Sequence, residues 1–140
     1  MSPRALKALV ADLVLILLFA ALGRAEHDRG NVVLGVLGTA WPFLVGALLG
    51  WILVRQLGRR EAVAIGPGIT VWISTVLLGM VLRQLSGAGT AFSFIVVATV
   101  VLGVFLVGSR AVVALIANRK VARASATRGG AGQSVPATDE

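Results

Sequence analysis

Four long apolar runs, separated by short polar connections, constrain the fold of this chain more than any other feature. We place the runs at about residues 5–23, 32–54, 64–82 and 92–117. Each is close to the ~20 residues that an α-helix needs to cross the hydrocarbon core of a bilayer. Short connections between long helices make successive helices antiparallel neighbours. The pattern predicts an all-α membrane protein in which residues 1–118 form a bundle of four transmembrane helices.

The composition agrees with a membrane protein. The 140 residues are 57% hydrophobic and only 14% charged, and the mean hydropathy is +0.93. A water-soluble domain needs more charge to cover its surface. The chain contains no Cys, which excludes disulfides, thiolate nucleophiles and Cys-ligated metals. After Asn118 the apolar content falls, so residues 119–140 are predicted to be a disordered cytoplasmic tail.

The distribution of basic residues predicts the orientation in the membrane. The net charge is +7, but the basic residues lie in short stretches beside the apolar runs, which fits topology signals and anionic lipid headgroups better than nucleic acid. Nine Lys and Arg fall on one side of the bundle: Arg4, Lys7, Arg55, Arg59, Arg60, Arg119, Lys120, Arg123 and Arg128. Three fall on the other: Arg24, Arg29 and Arg83. Both termini are therefore expected in the cytoplasm, in a multi-pass protein of the cell membrane whose cytoplasmic face meets anionic lipid.

A signal peptide is the other interpretation of the first run, because Arg4 and Lys7 precede it and small residues lie near its end. The run is long, contains Asp12 and is followed by three more apolar runs. We therefore expect it to be retained as the first transmembrane helix.

Asp12 and Arg110 are charged residues inside apolar runs. Each lies seven residues from the cytoplasmic end of its predicted helix, a depth of ~10 Å. A charge within the membrane is costly and requires a partner. Opposite charges at matched depth predict a buried ion pair between Asp12 and Arg110. The pair serves either to fix helix packing, which we favour, or as a proton or ion relay.

Small and polar residues recur on one face of each predicted helix. Such residues let helix backbones approach closely in lipid, and threonine hydroxyls bond their own helix. Pro42 is also expected to kink the second helix. The residues assigned to packing or kinking are Thr39, Pro42, Gly46, Trp72, Thr75, Gly79, Thr99 and Gly103. Among the tryptophans, Trp51 is expected to be an interfacial anchor beside Arg55, whereas Trp41 and Trp72 are expected to fill the bundle.

Arg24, His27 and Arg83 form a candidate binding cluster at the outer end of the bundle. Two guanidiniums and an imidazole suit a carboxylate, a phosphate or a lipid headgroup. The alternative is that these residues are simply hydrated or contact lipid phosphates. His27 is the only histidine, which excludes bis-histidine haem ligation. No ligand spacing indicates a metal site, and no cofactor is predicted.

Several short motifs resemble those of a known family. They are Asp12, Phe19 and Gly23-Arg24-x-x-His27 in the first helix, Pro42-Phe43 and Gly46 in the second, Trp72, Thr75, Gly79 and Arg83 in the third, and Gly108 and Arg110 in the fourth. On these residues, over about 8 to 112, the chain resembles domain of unknown function 3054, a family of membrane proteins found largely in actinobacteria and haloarchaea. Members usually carry Gly-Trp-Arg where this chain has Gly108-Ser109-Arg110. The resemblance implies a four-helix membrane fold and no activity.

Two functions remain open at the level of sequence. One is a non-enzymatic structural, interaction or lipid-binding bundle, alone, as a homo-oligomer or with another membrane protein. The other is a small oligomeric transporter or channel whose ligand meets the outer cluster of Arg24, His27 and Arg83. We expect no enzymatic activity, because no nucleophile–base pair is recognisable in the sequence.

Overall fold

The chain forms four α-helices in sequence order. The computed structural model describes residues 2–24, 31–57 and 64–131, and these contain no β-strand. The helices are α1 (Pro3–Arg24), α2 (Val32–Gln56), α3 (Ile65–Leu85) and α4 (Phe92–Ala131). All four are long and apolar enough to cross a membrane. The prediction of an all-α fold with four transmembrane helices is confirmed, and the chain is a multi-pass membrane protein.

Local sequence signals set the helix starts. Ser2 caps α1, since its hydroxyl accepts a hydrogen bond from the amide of Ala5 at 3.2 Å, and Pro3 occupies the first helical position, where a missing N–H costs nothing. Asn31 caps α2 through the amide of Leu34, at 3.5 Å. Helix α2 continues without a break past Pro42, whose ring is buried.

The fourth helix differs from its predicted extent. We expected it to end at residue 117 and to be followed by a disordered tail, but α4 continues to Ala131. The physical reason is that residues 118–128 contain no Gly or Pro and are rich in Ala, Arg and Lys, which are strong helix formers. The predicted membrane span ends where the apolar content falls, but the helix continues beyond that point. The rest of the predicted tail, 132–140, lies outside the described residues.

The helices form a ring. Helix α1 packs against α2 and α4, and α3 packs against the same two helices. Helices α2 and α4 also meet across the diagonal, through the side chains of Phe43 and Phe94 and of Trp51 and Arg110.

Asp12 near the start of α1, Trp51 near the end of α2, and Arg110 in α4 meet at one level. Further along α1, Phe19 meets Phe43, which precedes Trp51 on α2, and Phe94, which precedes Arg110 on α4. On α3, Gly68 lies beside Arg110, and Trp72, further along, donates to Thr99. Successive helices therefore run antiparallel, as their short connections predicted.

The α2–α3 interface is the most extensive of the four. A Cβ added at Gly46 would lie 3.0 Å from the Cα and carbonyl oxygen of Thr75 and from the carbonyl oxygen of Ser74. A Cβ at Gly50 would lie 3.0 Å from the Cα of Val71. The Gly-x-x-x-Gly pair therefore brings two backbones into direct contact, which is how helices associate where lipid removes the hydrophobic drive.

Aromatic rings fill the half of the bundle away from Asp12. The rings of Phe19 and Phe43 meet edge to face at 5.7 Å, and Phe94 lies 6.2 and 6.1 Å from them. Gly79 makes room for Phe43, since an added Cβ would lie 2.4 Å from the ring. Leu, Val and Ile side chains cover the outside of the ring of helices and are exposed to the surrounding lipid.

Replacing Gly46 by Ala should destabilise the bundle by about 1–3 kcal/mol, because the new methyl group meets backbone atoms that move only with the whole helix. Gly38→Ala is the matched control, since an added Cβ there has no atom within 4 Å. It should leave stability unchanged or raise it by up to about 1 kcal/mol through helix propensity. Thermal unfolding of both variants in detergent measures the difference, and equal Tm values would contradict close α2–α3 contact.

Candidate functional site

Asp12 faces the interior of the bundle because of its register on α1. Ile16 and Phe19, four and seven residues further along the helix, lie on the same face and are both buried. This periodicity turns Asp12 inward as well, and the residue is 1% exposed. A carboxylate in this position requires partners from the neighbouring helices.

Arg110 of α4 supplies the principal partner. Its Nη1 donates to Oδ1 of Asp12 at 3.0 Å and its Nη2 donates to Oδ2 at 2.7 Å. Two parallel charge-assisted hydrogen bonds form the strongest geometry available to these side chains. Arg110 is itself only 4% exposed. The structure therefore joins the two residues that their matched depth predicted to be partners.

Trp51 of α2 is the third member of this site. Its indole Nε1 donates to Oδ2 of Asp12 at 2.9 Å, and the guanidinium carbon of Arg110 lies 5.7 Å from the centre of its ring. Trp51 is 4% exposed, so its predicted place in an interfacial belt is wrong. The sequence did contain a signal for this position. Trp51 lies on the same helix face as Phe43 and Ala47, and a buried indole N–H needs a hydrogen-bond acceptor.

Helix α3 contributes Gly68 to the site, because the lack of a side chain there leaves room for Arg110. A Cβ added at Gly68 would lie 2.4 Å from Cδ and 3.0 Å from Nε of Arg110. Arg110 also donates through Nη1 to the carbonyl oxygen of Leu106, one turn earlier on α4, at 2.6 Å. Its buried Nε has no hydrogen-bond partner within the described residues. Gly68 thus determines where the guanidinium can lie.

We call Asp12, Trp51 and Arg110 the polar clasp, since they connect α1, α2 and α4. Both carboxylate oxygens accept hydrogen bonds, and the charges of Asp12 and Arg110 balance each other. Within the described part of the chain, no group of three His, Cys, Asp or Glu residues is placed to hold a metal. The polar clasp is therefore a neutral, internally bonded unit in which the carboxylate is already engaged.

A second polar contact joins α3 to α4. Trp72 donates from Nε1 to the carbonyl oxygen of Thr99 at 3.0 Å. Gly103 accommodates the indole, since an added Cβ would lie 3.1 Å from it. Trp72 therefore packs within the bundle as expected, whereas Trp41 is 41% exposed on the lipid-facing side and that expectation is wrong.

The threonines named in the sequence bond their own helices. Each hydroxyl donates to the carbonyl oxygen four residues earlier, at distances of 3.1, 2.7 and 2.7 Å for Thr39, Thr75 and Thr99. A hydroxyl satisfied within its own helix needs no partner on another helix. The hydroxyl protons of these threonines are therefore used within their own helices.

At the end of the bundle away from the polar clasp, Arg83 holds the turn between α3 and α4. It donates from Nε to the carbonyl oxygen of Gly89 at 2.8 Å and from Nη2 to that of Ala88 at 3.4 Å. Its guanidinium also lies 4.2 Å from the centre of the Phe94 ring. Gly87 and Gly89 have φ of 75° and 71°, values that L side chains rarely adopt. Of the predicted outer cluster, His27 and the side chain of Arg24 lie outside the described residues.

Removing one charge of the polar clasp should cost more than removing both. Asp12→Leu or Arg110→Met leaves an uncompensated buried partner and should lower stability by about 3–5 kcal/mol, whereas the double variant should recover much of that loss. Unfolding free energies in detergent complete the double-mutant cycle. Arg119→Met, which removes an exposed arginine from the same helix, is the control and should change stability by less than about 0.5 kcal/mol. Additive losses from the two buried sites would argue against the pairing.

Comparison with known families identifies one match. The model of a family described as a protein of unknown function, DUF3054, matches residues 9–113. Neither the curated proteins nor the solved structures contain a significant match. The matched segment covers most of the chain, including Asp12, Trp51, Gly68 and Arg110, and it confirms the resemblance found in the motifs. The chain belongs to the DUF3054 family.

Proposed function

We propose that this protein is a non-enzymatic membrane bundle that acts as a structural or lipid-binding component of the cell membrane. The observation that carries the proposal is the polar clasp. Asp12 accepts three hydrogen bonds, two from Arg110 and one from Trp51. A carboxylate engaged in this way fixes the packing of three helices, and the register role of buried polar groups is their best-attested use.

The same geometry argues against the alternative of a small oligomeric transporter. A proton relay through a membrane needs a chain of titratable groups. Asp12 is the only acidic residue in the described part of the chain. Arg110 engages both oxygens of the Asp12 carboxylate in hydrogen bonds. An enzymatic role is equally poorly supported, because general acid–base catalysis requires a carboxylate that can reach a substrate.

The basic end of the bundle supports contact with anionic lipid. Arg4 and Lys7 near the start of α1, and Lys120 on α4, are exposed at the end of the bundle nearer the polar clasp. Each Lys or Arg near an anionic membrane surface contributes about 1 kcal/mol of attraction. We propose that this end faces the cytoplasm, in agreement with the positive-inside rule.

The proposed orientation predicts which residues a membrane-impermeant thiol reagent reaches. Because the chain has no Cys, single substitutions report without background. Ser86→Cys, in the turn after α3, should be labelled in right-side-out vesicles. Ser2→Cys and Ser125→Cys should be labelled only after the vesicles are permeabilised. Labelling in the reverse order would contradict cytoplasmic termini.

Reconstitution separates the structural proposal from transport. Proteoliposomes containing the purified chain should show the same proton flux as protein-free vesicles across pH 5 to 8. Asp12→Asn should lower the Tm and leave flux unchanged, because the substitution removes the charge that balances Arg110. Arg119→Gln is a control for loss of one exposed charge outside the polar clasp. Flux in the parent protein that Asp12→Asn abolishes without loss of folding would favour a transporter.

A further inference from the structure

The seam between α1 and α4 contains a groove of about 80 Å³. Asp12 and Arg110 form its buried floor, and Ala11 and Val113 are exposed at its lips. Ala8 and Ser109 complete the lining. We call this the α1–α4 groove. Small residues on both helices keep the seam open at the level of the polar clasp, and the α1–α4 interface is the least extensive of the four.

Basic residues lie on the same helix faces as the two walls of the groove, nearer the end of the bundle. Residues four apart share a helix face, which aligns Arg4 with Ala8 and Lys7 with Ala11. On α4, Lys120 lies seven residues beyond Val113 and so on the same stripe. These positions are ~6 Å beyond the groove on α1 and ~10 Å beyond it on α4. All three basic side chains are exposed.

We propose that the α1–α4 groove binds a short segment of one acyl chain of an anionic phospholipid whose headgroup phosphate contacts Arg4, Lys7 and Lys120. The apolar lips open toward the hydrocarbon of the bilayer, and the cationic positions lie where a headgroup sits. The acyl segment seated in the groove lies over the floor formed by Asp12 and Arg110. This inference rests on the proposed function, because it requires the basic end of the bundle to meet anionic headgroups.

Charge also distinguishes a lipid from a second copy of the chain. Two copies in one membrane have the same orientation, so docking at this seam brings Arg4, Lys7 and Lys120 of both copies to one level. Like charges at that level repel each other. An anionic lipid instead neutralises the same residues, which is why we assign the groove to lipid.

Native mass spectrometry of the full chain in detergent tests the site with two probes, phosphatidylglycerol and phosphatidylcholine with identical acyl chains. The unaltered chain should retain phosphatidylglycerol preferentially. Ala11→Leu fills the groove from α1 and Ser109→Leu fills it from α4, and each should weaken phosphatidylglycerol binding at least tenfold. Ala21→Leu, at an exposed alanine near the other end of α1, should have no effect. Circular dichroism identifies which of the two groove variants is folded, so either one suffices.

The headgroup contact is tested by removing charge. Lys7→Gln and Lys120→Gln should each reduce the preference for phosphatidylglycerol by about fivefold. Arg119→Gln removes an equal charge next to Lys120 but about 100° away around the helix, and should change the preference by less than twofold.

The outcomes separate this site from the proposed function. Equal retention of both lipids by the unaltered chain overturns the site and the proposed anionic-lipid contact together. If the charge variants lose binding while folded groove variants retain it, the groove assignment is wrong and the anionic-lipid contact stands. If Ala11→Leu disrupts a dimer instead of a lipid adduct, the groove belongs to a second copy and the lipid assignment is overturned.

Discussion

A carboxylate buried within a membrane-spanning helix is the constraint on which the rest of this structure depends. Hydrocarbon offers no water to solvate Asp12, so its partners come from the neighbouring helices. Arg110 balances its charge with two hydrogen bonds, and Trp51 adds a third. Because these partners belong to α4 and α2, the buried charge of Asp12 determines how α1, α2 and α4 are positioned relative to one another along the bundle axis. Gly68 extends the constraint to α3 by leaving room for the guanidinium.

The seams of the ring are held together by different physical means. At the α2–α3 seam, Gly46 and Gly50 bring backbones into contact, and dispersion forces between closely packed atoms supply the attraction. The α3–α4 seam adds the hydrogen bond from Trp72 to Thr99. The α1–α4 seam is the least extensive, carries the ion pair and the ring contact of Phe19 with Phe94, and has a groove beside it. The seam that contains the buried ion pair is also the one that leaves space for a ligand from the bilayer.

The two ends of the bundle have different chemistry. Arg83 at the end away from the polar clasp donates to the carbonyl oxygens of its own turn and lies over Phe94. These contacts give Arg83 a structural role, whereas its position at a helix end had predicted a candidate anion site. At the opposite end, the side chains of Arg4, Lys7 and Lys120 are exposed. These side chains are therefore the better candidates for contact with a lipid headgroup.

The sequence by itself determined the number, order and antiparallel arrangement of the helices, because hydropathy, span length and short connections are local properties. It also predicted that Asp12 and Arg110 meet, since depth along a helix is counted in residues. The tertiary structure alone decided that Trp51 joins them, that Gly68 admits the guanidinium and that Arg83 turns to its own loop. These outcomes depend on how each helix is rotated against its neighbours, and small residues on several faces permit more than one rotation. The extent of α4 was missed for another reason: hydropathy marks where the predicted membrane span ends, whereas helix propensity decides where the helix ends.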